Sequence, residues 1–138
     1  MPRRTISIIL IVVSLGGCGF LTEPTSKVYK EALRYASIVG EGSLDLKKAG
    51  VVTEDLSAGD LILSLRSDGF YLGSQENSLA EQTINCNGIA IIPDQDIIVT
   101  RKGSLFLGDR FDYYVRLQVN TNCKLSAAMV YVSNMPWM

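Results

Sequence analysis

Three cysteines are the only side chains in this chain whose type and placement suggest chemistry. Cys18 lies close to the start, behind an apolar run; Cys86 and Cys123 lie late in the chain. There is no histidine, so the commonest general base and metal ligand is missing. Two cysteines without histidine do not make the four ligands of a zinc site. A redox pair would normally sit close in sequence, and Cys86 and Cys123 do not. In an exported chain such an even pair reads as a structural disulfide. The carboxylates Asp94, Asp96, Asp109 and Asp112 flank strand-like segments, but their spacing matches no calcium loop, and turn chemistry accounts for them. No Gly-x-Ser-x-Gly elbow and no phosphate loop occurs. These readings point away from an enzyme, and imply no cofactor and no metal.

What must position Cys18 is an export leader. Arg3 and Arg4 form a positive start, and Ile6 to Val13 is an unbroken apolar stretch apart from Ser7. It is well short of the roughly 20 residues needed to span a bilayer. Leu15, Gly16 and Gly17 then lead into Cys18 with small residues, as a cleavage site requires. Leu15-Gly16-Gly17-Cys18 resembles the lipobox of bacterial lipoproteins. The resemblance implies a diacylglyceryl group on the Cys18 thiol, removal of residues 1–17 as signal peptide, and a further acyl chain, such as palmitate, on the new amine. Two or more chains anchor a protein stably, each buried CH₂ contributing about 0.8 kcal/mol. Gly19, in place of aspartate, implies by the same resemblance sorting to the outer membrane, facing the periplasm.

Removal of 17 of the 138 residues leaves 121, enough for one domain with a real core. The apolar fraction of 47% is that of a globular protein. The net charge of −1 becomes about −3 once Arg3 and Arg4 leave, which argues against nucleic acid or anionic lipid as the main partner. Residues 18–25 read as a lipidated tether, in which Phe20 and Leu21 suit the membrane interface. Residues 26–138 read as a single periplasmic domain.

Within that domain, Val28, Ala32, Tyr35, Ala36 and Val39 share one helical face, with Thr25 or Ser26 as cap and Gly40 as stop. Ser43 to Ala49 suggests a second short helix, and Ala58-Gly59-Asp60 a turn. Leu61, Leu63 and Leu65 alternate as a strand would, with a turn at Ser67-Asp68-Gly69 and a return through Phe70 to Leu72. Residues 75–85 suggest another helix. Strands are expected at Gly88 to Ile92, Asp96 to Lys102, Arg110 to Asn120 and Cys123 to Val132, with a short arm at Leu105 to Leu107. Leu125, Ala127, Met129 and Tyr131 share one face of the last strand. The expected fold is α+β: one or two N-terminal helices packed on an antiparallel sheet of about four to six strands, with one disulfide.

The lipobox at Cys18, the early helix, the following sheet and the pair Cys86 and Cys123 together resemble the pilotin lipoproteins of type II secretion systems. The stretch from Tyr113 to Val119 running into Cys123 resembles the strand before that family's second cysteine. This chain departs from the family in adding a strand and the tail Met135-Pro136-Trp137-Met138. The resemblance implies a non-catalytic accessory or assembly factor. Its membrane contact would be the lipid and its protein partner a secretin or pilus component, held through a short segment in an apolar groove. The alternative is a periplasmic inhibitor or exclusion lipoprotein that blocks a cell-wall hydrolase or conjugation partner, using the loops at Ser67 to Gly73 or Pro93 to Gln95.

Overall fold

The computed structural model describes residues 26–73, 75, 82–104, 106 and 108–135. The lipobox residues Leu15, Gly16, Gly17 and Cys18, the tether and the tail beyond Met135 lie outside them. The fold is α+β. Two helices, α1 (Lys27–Ile38) and α2 (Ala58–Ser67), pack on one face of an antiparallel sheet. The sheet contains β1 (Gly42–Asp45), β2 (Tyr71–Leu72), β5 (Ile97–Arg101), β6 (Phe111–Val119) and β7 (Leu125–Asn134), in the order β1-β7-β6-β5-β2. A separate hairpin joins β3 (Ile84–Cys86) to β4 (Ile89–Ile91).

Helix α1 follows its sequence signals. The Ser26 hydroxyl accepts the backbone N–H of Val28 (3.1 Å) and of Tyr29 (3.4 Å), satisfying two of the helix's orphan donors. Val28, Ala32 and Ala36 are buried as expected, but the stripe is completed by Tyr29, while Val39 is exposed at the C-cap. The Tyr29 ring packs edge-on against Phe70 (5.3 Å) and Tyr113 (5.7 Å), which fixes the helix across the sheet.

Two expected elements change type. Ser43 to Ala49 is not helical: its start is β1, because the Asp45 carboxylate accepts the N–H groups of Lys47 (3.0 Å) and Lys48 (3.2 Å) and turns the chain. Ala58-Gly59-Asp60 and Leu61 to Leu65 are neither turn nor strand but helix α2. Ala58, Leu61, Ile62 and Leu65 are its buried positions, at i, i+3, i+4 and i+7, and Leu63 faces out. Ser67-Asp68-Gly69 ends this helix instead of opening a hairpin. Gly69 has φ +91°, and N–H groups of Gly69 and Phe70 reach back to the carbonyls of Arg66 (3.1 Å) and Leu65 (3.0 Å). Of residues 75–85, Ile84 and Asn85 are strand; 76–81 lie outside the described residues. Leu105 and Leu107 do too, though Ser104 and Asp109 pair across that loop.

The strands expected at Gly88 to Ile92, Asp96 to Lys102, Arg110 to Asn120 and Cys123 to Val132 are present as β4 to β7. In β7 the inward face differs from the expected one. A bulge opposite Gln118 and Val119 shifts the phase, so Leu125, Ala128, Val130 and Val132 are buried while Ala127, Met129 and Tyr131 turn outward.

The outer edge of β7 is closed by side chains. Beyond its pairing with β1, the Lys47 ammonium donates to the carbonyls of Leu125 (3.4 Å) and Ser126 (3.5 Å), and the Glu41 carboxylate accepts the Asn134 N–H (2.7 Å).

The two ends of the sheet are tied differently. At one end Cys86 and Cys123 form a disulfide (S–S 2.03 Å, Cα–Cα 5.7 Å), binding the β3–β4 hairpin to the turn between β6 and β7. At the other end Arg101 donates to the Asp109 carboxylate (2.5 Å) and to the Asp68 carbonyl (3.0 Å), and its guanidinium lies 5.2 Å from the centre of the Tyr29 ring. The Asp68 carboxylate in turn accepts the Ser26 N–H (2.9 Å).

Burial raises the phenol pKa of Tyr29 and of Tyr113 above 10.0, with Asp109 adding to it and Arg101 opposing it. An unfolded tyrosine ionises near 10, so above that pH the unfolded chain gives up protons that the folded one keeps. These two residues therefore contribute full stability below pH 10 and lose it as pH rises toward their folded values. Tyrosinate absorbance at 295 nm is expected to rise in two stages, the later one coinciding with loss of the near-ultraviolet circular dichroism. All six tyrosines ionising together near pH 10, with the fold intact, is the result that sinks this.

Candidate functional site

Register decides what each face of the sheet offers, because directly opposed residues share a face. One row reads Leu44, Val130, Val115, Val99 and Leu72 across the five strands, and points to the helices. The adjacent row reads Ser43, Tyr131, Tyr114, Thr100 and Tyr71, and points away from them. Every residue of this second row carries a hydroxyl, and three carry a phenol. Beside it runs Asp45, Met129, Arg116 and Ile98. Both helices and the buried face of the hairpin join the core on the opposite side. Tyr71 and Ile98 are exposed, and Tyr114, Met129 and Tyr131 are half-buried. Among the described residues no second layer covers this face.

Charges at its borders hold the aromatic rings in place. The Lys102 ammonium donates to the Tyr114 hydroxyl (2.9 Å) and lies 3.7 Å from the Asp112 carboxylate; the phenol contact is the main cause of its raised pKa. Arg116 pairs with Asp96 (2.8 Å) and bonds Tyr131, and both contacts raise the guanidinium pKa. The Asp96 carboxyl is correspondingly held down, by Arg116 first and by Gln118 second. A shallow hollow of about 220 Å³ lies between Asp96, Arg116, Gln118, Ala127 and Met129. On the helix side, a cleft of about 400 Å³ lies between the start of α1, the 50–56 segment and α2, with Val28, Val51, Leu56 and Leu61 in its walls.

The candidate residues from the sequence do not converge. Cys86 and Cys123 are joined at one end of the molecule. Asp96, Asp109 and Asp112 each face a different cation, and Asp94 turns the chain at φ +64° with its N–H on the Val119 carbonyl (2.8 Å). Among the described residues no three His, Cys, Asp or Glu side chains come together as a metal site. Of the aromatic trio, Tyr113 is core, Phe111 packs against the core, and Tyr114 belongs to the open face. The loops around Ser67 and Pro93 are tight: the first is a helix cap, and the second is the turn at Asp94.

One feature missing from the expected elements has a sequence signal, and a second has none. Asn87-Gly88, with φ of +55° and +86°, is the turn of the β3–β4 hairpin, and Asn-Gly between apolar residues is its usual signature. Tyr71 and Tyr131 belong to the open face, but only strand register brings them into line with Tyr114. Comparison with protein-family models, curated proteins and solved structures finds no match.

Proposed function

We propose that the mature chain is a lipid-anchored, non-catalytic accessory protein of the outer membrane's periplasmic leaflet. It docks a protein subunit of a secretion or pilus machine on the open face of its sheet. The observation behind this reading is the row Ser43–Tyr131–Tyr114–Thr100–Tyr71 on a face without a covering layer. Tyrosine, arginine and methionine are the residues enriched where proteins meet, and tyrosine and arginine carry much of the energy there. Tyrosine presents a large, fairly rigid surface and a polar tip at modest entropic cost. Five strands set a width of roughly 24 Å, and the platform tapers from roughly 30 Å long at β6 and β7 to under ~10 Å at β2, the size of a small interface.

The leader supports the address in this proposal, and the disulfide suits an oxidising compartment. Photo-crosslinking in cells tests the site. A benzophenone amino acid at Tyr71 or Ile98 of the full precursor is expected to capture one envelope protein, and the same group at Lys48 or Leu63 is not. A secretin or pilus component in the adduct supports the pilotin-like reading, and a cell-wall hydrolase or conjugation protein the inhibitor reading. Adducts from Lys48 and Leu63 alone overturn the choice of face. Tyr71→Ala is expected to weaken capture from Ile98 about tenfold or more, as loss of an anchoring aromatic does, with the melting temperature unchanged.

A further inference from the structure

The most exposed large apolar side chains are not scattered. Phe106 is wholly exposed (101%), and Ile38 (69%) and Val39 (60%) follow it. All three belong to one end of the sheet. Phe106 lies in the loop between β5 and β6, and Ile38 and Val39 lead into β1 at Gly42, which pairs with Val132 near the end of β7. The disulfide is at the other end. The Phe106 loop has a fixed root, since Ser104 and Asp109 exchange backbone hydrogen bonds (2.9 Å each) and Arg101 holds the Asp109 carboxylate. Its sequence neighbours Leu105 and Leu107 are apolar as well, and Arg110 and Lys102 beside the loop are exposed cations.

The chain enters the domain at this same end. Ser26 is tied to Asp68, Asp68 to Arg101, and Arg101 to Asp109 at the loop's root. Eight residues separate the domain from its proposed lipid, Cys18 to Thr25. Fully extended they reach at most about 28 Å. A bilayer holding Cys18 therefore lies within about 28 Å of Ser26, at the end of the domain that carries Phe106. Exposed apolar side chains flanked by cations suit the boundary between headgroups and acyl chains.

We propose that Phe106, above the root formed by Ser104 and Asp109, is a second, non-covalent membrane contact. Phe106 enters the interface of a bilayer and Arg110 meets its phosphates; this rests on the lipid-anchor reading above. The entry end of the domain then lies on the membrane, the disulfide end points away, and the tyrosine face stands sideways to the bilayer.

The test uses the full mature chain with Trp137→Phe, so that Phe106→Trp is the sole indole. Vesicles contain phosphatidylethanolamine and phosphatidylglycerol with brominated acyl chains. The protein is held either by its acylated Cys18 or, as Cys18→Ser with an N-terminal hexahistidine, by a nickel-chelating lipid. Emission from Phe106→Trp is expected to shift to the blue and to fall by about half or more, because an interfacial side chain sits within reach of the quencher. Lys48→Trp, at the far end, is expected to keep its emission. An unquenched Phe106→Trp on nickel-tethered protein overturns the proposal, and leaves a protein as the loop's partner. An unacylated Cys18 in the mass spectrum of the native protein overturns the anchor reading instead. The nickel-lipid measurement reads the loop in either case.

Discussion

Replacing Cys86 and Cys123 together by alanine is expected to lower the domain's stability by about 4 kcal/mol, because the bond closes a loop of 37 residues in the unfolded chain. For a domain of this size that corresponds to a fall in melting temperature on the order of 15 °C. The sites differ in cost beyond this shared term. Cys86 is buried, and Cys123 is only partly so, at φ +61° in the turn after Asn120. The same turn accepts the first helical N–H of α2, from Ala58 to the Cys123 carbonyl (2.9 Å). Loss of the bond should therefore loosen the start of α2 and the β3–β4 hairpin before the rest. Amide hydrogen exchange can follow this, with faster exchange at residues 58–60 and 84–91 than in β6. A double variant that melts where the parent does rules out a stabilising role for the bond.

Gly59→Ala should destabilise the domain by about 1–3 kcal/mol, the usual cost of overpacking. Helix propensity alone predicts the opposite sign, since alanine is favoured over glycine by about 1 kcal/mol in a helix interior. The reason is backbone crowding. A Cβ on Gly59 would stand 2.7 Å from the Cys86 carbonyl oxygen, 2.9 Å from its carbon and 2.8 Å from the Asn87 Cβ. None of these is the loose end of a long side chain, so either the hairpin or the helix must move. With the disulfide removed the hairpin can retreat, and the cost of Gly59→Ala should shrink. A double-mutant cycle measured by urea denaturation reads that coupling, which for residues in contact runs about 0.5–3 kcal/mol. A stabilised Gly59→Ala variant contradicts the crowding argument outright.

The sequence carried the longer elements well where one periodicity stood alone. Phe111 to Val119 alternates without ambiguity, and Val28, Ala32 and Ala36 recur at helical spacing with Ser26 to cap them. It misled where two periods coincide. Leu61, Leu63 and Leu65 satisfy a strand, while Ala58, Leu61, Ile62 and Leu65 satisfy a helix, and only the core packing of the second set decides. Ser43 to Ala49 failed for a local reason, because one carboxylate at Asp45 turns the chain. The tyrosine row was not legible at all. Tyr71, Tyr114 and Tyr131 are far apart in the chain, and their alignment depends on the pairing of four strands and on the bulge opposite Gln118 and Val119. The ring of contacts around Arg101 is equally non-local, joining Ser26 and Asp68 to Asp109.

The lysine and the glutamate that finish the rim of β7 bear on how many copies can share a crowded surface. Molecules confined to one plane collide often and in similar orientations, which is the condition under which bare strand margins stitch neighbours into fibres. Here a stray chain would first have to evict the Lys47 ammonium from two carbonyls and the Glu41 carboxylate from an amide. These contacts guard the part of β7 that β1 leaves uncovered, and so extend the protection that β1 gives to that strand.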